Sequence, residues 1–254
     1  MNFKVLTLFT KMYDSLNEGI IGAAQKKGLI NVSVTDIRDF SKDKHRTVDD
    51  YPYGGGAGML LKPEPVFDAL NFVDPEHKCH RIFMSARGKT LNQKKVEELS
   101  LKNDLLIICG SYEGLDQRII DNYVDEEISV GDYVLTSGDY PCMILINAVS
   151  RYVDGVLGSS ESLNEESYSD YLLEYPQYTH PEVFNGFEVP EILLSGHHGK
   201  IAEWRKQQSI EITQKLRPDL YRKYYDLHKE EIEAEKFKEE KRLKRLASKK
   251  RKSE

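Results

Sequence analysis

Apolar positions along the first 150 residues fall into short runs whose spacing alternates between strand-like and helix-like. Phe3–Phe9 and Ile30–Ile37 read as strands, separated by a helix over Met12–Lys27 that stops at Gly28, a residue type common just past a helix end. Pro63–Val73 suits a helix opened by proline in its first turn. Arg81–Met84 reads as a short strand, with a helix around Leu91–Leu101 after it. Leu105–Cys109 is an unbroken apolar run of the kind buried on both faces of a parallel sheet. One or two helical turns fit 116–122, and Val124–Ser129 reads as another strand. Pro141–Val153 is apolar on most faces, so this helix belongs in a core or an interface. Strand and helix in such alternation predict an α/β fold with a mainly parallel sheet.

The pattern changes after residue 157. Gly158–Asp170 is polar and reads as a linker or mobile loop. Beyond it strand signals fade, while Ile201–Leu216 and Leu220–Leu246 look helical, with Trp204 as the only tryptophan. The expected organisation is an α/β domain over 1–157, a linker over 158–172 and a small all-α domain over 173–254. No internal repeat is present.

Charge alters this picture at one end. Residues 241–254 carry eight Lys/Arg against one Glu, a charge of +7, so a net −6 leaves −13 on the other 240 residues. An acidic body argues against indiscriminate DNA coating. The basic tail can supply salt-sensitive phosphate contacts, although a solvated helix end would look the same. No apolar run approaches the roughly 20 residues needed to cross a bilayer, and Met1–Val5 lacks the apolar core of a signal peptide. Cys79, Cys109 and Cys142 are scattered and odd in number, which suits free thiols in a reducing compartment. The expectation is a cytoplasmic protein with no membrane association.

Candidate chemistry gathers in loops that follow strands. Ile-Cys-Gly-Ser-Tyr-Glu-Gly at 108–114 and Ser-Val-Gly-Asp-Tyr-Val-Leu-Thr-Ser-Gly-Asp-Tyr-Pro at 129–141 each do so, as does Ser85-Ala86-Arg87-Gly88. Ligands of open α/β sheets bind at such strand ends, and glycine permits close backbone approach and unusual backbone angles. With Met84, Tyr133, Val134 and Leu135 as apolar walls, three converging loops describe a pocket for an adenine-bearing cofactor; three ordinary tight turns are the alternative. Tyr53–Met59 holds four glycines in five positions, suited to facing a phosphate or a planar base or to a flexible hairpin. No Gly-Lys-Ser/Thr follows it, so it is no P-loop. Just upstream, His45 and Arg46 are cationic donors beside Asp49 and Asp50. His197 and His198 are adjacent, point to different faces and lack a third ligand at metal spacing, so helix-end hydrogen bonding or RNA contact is expected there and no metal site.

Several of these segments occur in an order that identifies a family. His-Arg-Thr-Val-Asp-Asp-x-Pro-Tyr-Gly-Gly-Gly-x-Gly-Met, Cys-Gly-x-Tyr-Glu-Gly, Gly-Asp-Tyr-Val-Leu and Ser-Arg-Tyr-x-x-Gly-Val-Leu-Gly are followed by Pro-Gln-Tyr-Thr and Leu-Leu-Ser-Gly-His-His. From about Phe3 to about Leu216 the chain resembles the bacterial tRNA (guanine-N1)-methyltransferases of the SPOUT class. The resemblance implies methyl transfer from S-adenosyl-L-methionine to N1 of the guanosine 3′ of a tRNA anticodon. It implies a deep trefoil knot, otherwise nearly absent from proteins, and a homodimer with a composite active site. A Mg²⁺ requirement stays open. By carry-over, Gly110 and Val130, Gly131, Asp132, Tyr133, Val134 and Leu135 hold the cofactor, with Phe83, Met84, Ser85, Tyr112, Glu113, Gly138 and Pro141 around it. Glu166 and Arg151 are the implied catalytic pair, with Glu165 and Asp170 as rival bases, and 158–172 becomes a lid. His45, Arg46, Asp49, Gly58, His197 and Arg205 are the implied RNA contacts. Three departures stand out: Glu166 for the usual Asp, Ser111 for Arg, and Ser137 for Gly.

Overall fold

The computed structural model describes residues 1–158, 166–234, 237, 238 and 241. The chain divides into two compact units, Met1–Ser160 and Glu161–Glu254.

In the first unit, β1 (Asn2–Thr7) and β2 (Asn31–Asp36) flank a 3₁₀ turn over Thr10–Asn17 and helix α1 (Gly19–Lys26). The single helix expected over Met12–Lys27 is therefore broken. Gly19 takes φ +60, and a side chain at Gly22 would strike the Asn17 carbonyl, so the chain bends sharply where a regular helix would clash. A two-residue pair, β3 (Asp49–Asp50) with β4 (Leu60–Leu61), was not signalled by any periodicity because it is too short to carry one. Helix α2 (Pro63–Val73) starts at its proline. Strand β5 (His80–Thr90) runs well past the expected Arg81–Met84, followed by α3 (Gln93–Ser100), β6 (Asp104–Cys109), α4 (Gln117–Tyr123), β7 (Glu126–Ser129) and α5 (Asp139–Ser150).

Among the described residues these strands form a five-stranded sheet in the order β2-β1-β6-β5-β7, every neighbouring pair parallel. The central β6 has Leu105, Leu106, Ile107, Ile108 and Cys109 all fully buried, as its continuous apolar run requires of a strand covered on both faces. One side of the sheet packs with α1, α3 and α5, contributing Ile21, Val96, Leu99, Leu145, Ile146 and Val149. The other packs with α2 and α4 through Val66, Leu70, Ile119 and Ile120. Parallel register between Met84 and Ile128 jumps at a bulge, so Lys89 also pairs with Ile128. The 85–88 segment expected as a loop is thus an irregular stretch inside β5.

The second unit contains α6 (Glu191–Leu194), α7 (His198–Leu216) and α8 (Pro218–Leu227), with residues 229–234 also helical. It is not all helical as expected: β8 (Val183–Phe184) and β9 (Phe187–Glu188) form an antiparallel hairpin. Its turn, Asn185-Gly186, has positive φ at both positions, 51 and 82, which is the backbone of the Asn-Gly hairpin turn. The expected helix over Leu220–Leu246 is interrupted at His228 and helical again over 229–234 and at 237, 238 and 241, and most of the basic tail lies outside the described residues. No helix among the described residues is long and apolar enough to cross a membrane.

A buried ion pair ties α2 to β5. The Arg81 guanidinium donates to Asp74 Oδ2 at 2.8 Å and to the Asp74 carbonyl at 2.7 Å, with both side chains under 5% exposed. Burial alone would raise the Asp74 carboxyl, but the backbone N–H groups of Lys78 and Cys79 and the Arg81 guanidinium outweigh it and hold the value below the ordinary 3.8. The contribution to stability is thus complete above 3.8 and lost as pH falls through the folded-state value. Breaking such a pair leaves an uncompensated charge, so Arg81→Met should lower unfolding free energy in urea by about 3–5 kcal/mol. A loss below about 1 kcal/mol, the scale of a surface pair, would show that the pair is not structural.

Candidate active site

Because β5 pairs with both β6 and β7, the carboxyl ends of these strands open at one edge of the sheet, where ligands of open α/β folds bind. The bulged 85–88 segment of β5 and the loops after β6 and β7 meet there around a cavity of about 480 Å³, inside the range typical of cofactor sites. Phe83, Met84, Leu115, Ile128, Val134 and Leu135 give it apolar walls, and Ser85, Ser111, Glu113, Gln117 and Thr136 give it polar ones. The Ser111 hydroxyl is buried and has no hydrogen-bond partner among the described residues.

Backbone contact joins the two loops. Gly138 N donates to the Gly110 carbonyl at 2.8 Å, and Ser111 and Ser137 form an isolated antiparallel bridge. The segment after β7 therefore reaches past the end of β5 to lie on the segment after β6. A Cβ on Gly138 would sit 2.9 Å from Gly110 N and 3.0 Å from Cys109 Cα, and one on Gly110 would sit 3.0 Å from the Phe83 ring. Gly138 has an ordinary φ of −74. Lack of space against backbone, not backbone angle, demands glycine at Gly138, while at Gly110 the space is tight against the Phe83 ring.

Beneath the loops lies a polar cluster for which the sequence carries no signal, since its members come from β1, the 3₁₀ turn, β6 and α5. Asp139, fully buried in the first turn of α5, accepts from the Thr7 hydroxyl and from Tyr13 OH at 2.9 Å. Tyr13 OH also lies 3.1 Å from Cys109 Sγ. Burial pushes the Tyr13 hydroxyl far up, with Cys109, Cys142 and Asp139 adding to the effect, so it stays a donor to Asp139. Burial likewise keeps the Cys109 thiol protonated. This network fixes the start of α5, and hence Gly138, to the central strands.

Twelve of the residues expected around a cofactor line the cavity: Phe83, Met84, Ser85, Gly110, Tyr112, Glu113, Val130, Tyr133, Val134, Leu135, Gly138 and Pro141. Gly131 and Asp132 belong to the same loop but not to the lining. Leu60, Ile120 and Gln117 line it without having been expected. Gln117 and Ile120 come from α4, whose seven residues are too few to show an inward face.

The glycine-rich loop adjoins the site without facing it. Glu113 N donates to the Met59 carbonyl and Leu61 N to the Gly114 carbonyl, both at 2.9 Å, so the loop is stitched to 110–116. Gly58 lies against the Glu113 side chain. Asp49 sits half-buried in β3. His45 is exposed, and Arg46, with φ +56, pairs with Asp39 and stands 3.9 Å from Asp36. None of these four residues lines the cavity. Among the described residues no cluster of three His, Cys, Asp or Glu can hold a metal.

Comparison with known proteins decides the family. The model of the tRNA (Guanine-1)-methyltransferase TrmD family matches residues 1–223. The chain belongs to that family. A tRNA (guanine-N(1)-)-methyltransferase of Ruminiclostridium cellulolyticum is 52% identical over 226 residues, covering 88% of this chain and 97% of the relative. Proteins of the same name from Clostridium perfringens (ATCC 13124) and Clostridioides difficile (630) are 50% and 49% identical, covering 91% and 88% of this chain and 98% of each relative.

Seen as a family member, the chain has two of its three departures in direct contact: Ser111 and Ser137 are the bridged pair between the loops. Of the implied catalytic pair, Arg151 follows α5 directly, half-buried, at the C-cap. Glu166 is a half-buried residue of the second unit. The rival base Asp170 is engaged by His228 at 2.8 Å, and Glu165 lies outside the described residues. His197 precedes α7 and is exposed, and its side chain makes no capping bond, contrary to the helix-end role weighed for it. Arg205 stacks on Tyr175, 4.7 Å from the ring centroid.

Gly138→Ala forces a methyl group into backbone and should destabilise the fold by about 1–3 kcal/mol, the usual cost of overpacking. A neutral result in thermal unfolding would mean the two loops are not held in contact.

Proposed function

We propose that this chain methylates N1 of the guanosine 3′ of a tRNA anticodon, with S-adenosyl-L-methionine bound in the strand-end cavity. The observation that carries the reading is the meeting of the 85–88 segment and two loops around one cavity in a chain matched to this family over residues 1–223. The glycine cradle at Gly110 and Gly138, the apolar walls and the unpartnered Ser111 hydroxyl suit a cofactor that combines a flat heterocycle with polar edges. When bound, it supplies an activated methyl group on a sulfonium centre.

The chain's own residues then have two tasks. N1 of neutral guanine carries a proton, so its lone pair is unavailable until a base removes it, help worth about 10²–10⁴-fold. Glu166 is the base in this reading. Its extra methylene, relative to the aspartate usual in the family, must be absorbed by its backbone, since catalytic groups work within about 0.5 Å of their proper place. Arg151 stabilises the negative charge that develops on O6 as N1 is deprotonated.

The finer architecture belongs to the same proposal. The passage of the 130–138 segment across the end of β5 suits the threaded path of a trefoil knot. Helix α5 buries Cys142, Leu145, Ile146 and Val149 in its own unit, yet leaves Tyr140 and Ile144, four residues apart, about half exposed. A second copy covering that face would make the homodimer with its composite site. The second unit grips tRNA, using His197, Arg205 and the basic tail, and the protein works in the cytoplasm without binding DNA or membrane.

Single-turnover methylation of an unmodified tRNA transcript, with mapping of the modified nucleoside, tests this. Arg151→Ala should abolish transfer while leaving donor affinity nearly unchanged; equal loss of both would contradict its assignment. Glu166→Gln should slow the chemical step by about 10²-fold or more, and an unchanged rate would move the base to Glu165 or Asp170. Methyl found on another guanine would point to altered specificity, which the Ser111 and Glu166 departures would then explain. Tight tRNA binding with no turnover would mark an idle paralogue.

A further inference from the structure

The second unit holds a strained turn beside Glu166. Tyr168, Asp170 and Tyr171 have φ of 78, 50 and 60, so three residues within four adopt the left-handed region. Non-glycine residues stay there only where their surroundings hold them. Tyr168 N donates to the Leu172 carbonyl at 2.7 Å, and Leu173 N donates to the buried Thr213 hydroxyl of α7, also at 2.7 Å. Lys223 of α8 lies 5.9 Å from the Tyr171 ring. At the centre of the strain, His228 Nε2 meets Asp170 Oδ1 at 2.8 Å. The turn reaches Glu166 directly, because Ser169 N donates to the Glu166 carbonyl at 3.2 Å, and Glu174 N holds the intervening Ser167 hydroxyl at 3.0 Å.

We propose that His228 is a positioning residue for the Glu166 carboxylate: its ion pair with Asp170 clamps the 168–172 turn and so fixes the backbone from which the base projects. The inference rests on the reading of Glu166 as the base. His228 lies beyond residues 1–223 matched by the family model, so nothing in the family pattern assigns it. It also separates the rival carboxylates by role, with Asp170 serving as anchor.

The clamp depends on pH with a definite sign. Groups facing His228 are Asp170, Glu231 with Oε2 at 3.5 Å from Nδ1, and the Tyr224 ring with centroids 4.7 Å apart. The hydrogen bond to Asp170, and after it Glu231, raises the imidazole above its ordinary 6.5. The charged pair is therefore complete below 6.5 and lost as pH rises through the folded-state value.

The test is single-turnover methylation at saturating tRNA and donor between pH 6 and 9 for wild type, His228→Gln, Asp170→Asn, the double variant and Glu166→Gln. Donor affinity and melting temperature are measured on each. His228→Gln should be slower than wild type by about two- to fivefold at pH 6, the scale a partly exposed ion pair supplies. The ratio should fall toward one by pH 9, with donor affinity unchanged and the double variant no slower than the slower single one. A ratio of one at pH 6, or a ratio constant across the range, overturns the clamp. Glu166→Gln at wild-type rate would sink the base assignment itself, whereas a slow Glu166→Gln with His228→Gln unaffected throughout would sink only the clamp.

Discussion

The cavity exists because two loops touch through bare backbone. Gly138 rests on Gly110 with an N–H···O contact of 2.8 Å, leaving no room for a side chain on Gly138. That contact closes a ring of chain around the ends of β5, β6 and β7. Its position is set from below, where Asp139 is anchored by Thr7 and Tyr13, and from above, where Ser111 bridges Ser137. Core packing of Cys142, Leu145 and Ile146 then carries the constraint into the hydrophobic interior. A structural requirement and the proposed binding role meet at the same two glycines.

The loops were legible because their glycines and polar residues interrupt strong strand signals, and the buried run at Leu105–Cys109 announced the sheet centre. The two reasons attached to the loop glycines divide between positions: close backbone approach applies at Gly138, whose φ is ordinary, and unusual backbone angles at Gly114 and Gly131. Other features depend on partners far apart in the chain, which periodicity does not encode. The break at Gly19, the extension of β5 beyond Met84 and the Asp139 cluster are all of that kind. The β8–β9 hairpin differs, because Asn185-Gly186 is a strong turn signal that a helical reading of the second half passed over.

The proposed catalytic pair illustrates a different limit. Arg151 ends a helix rooted in the sheet unit, while Glu166 sits beside a turn held by α7 and α8 in the other. The family motifs point to both residues, and the rival carboxylate Asp170 is engaged by His228. The sheet unit supplies rigidity to the proposed cofactor cavity, and the second unit supplies it to the proposed base. The two tasks of the reaction, holding the donor and managing one proton, are thus assigned to separately braced parts of the chain.

Calorimetric titration of the purified protein with S-adenosyl-L-methionine and its demethylated product, beside a Gly110→Val variant, tests the central claim most directly. Saturable uptake by the wild type, with uptake lost in a variant that still unfolds cooperatively, is the predicted result. Heats indistinguishable from dilution for the wild type, or equal affinity in the variant, would contradict a donor seated between these backbone loops.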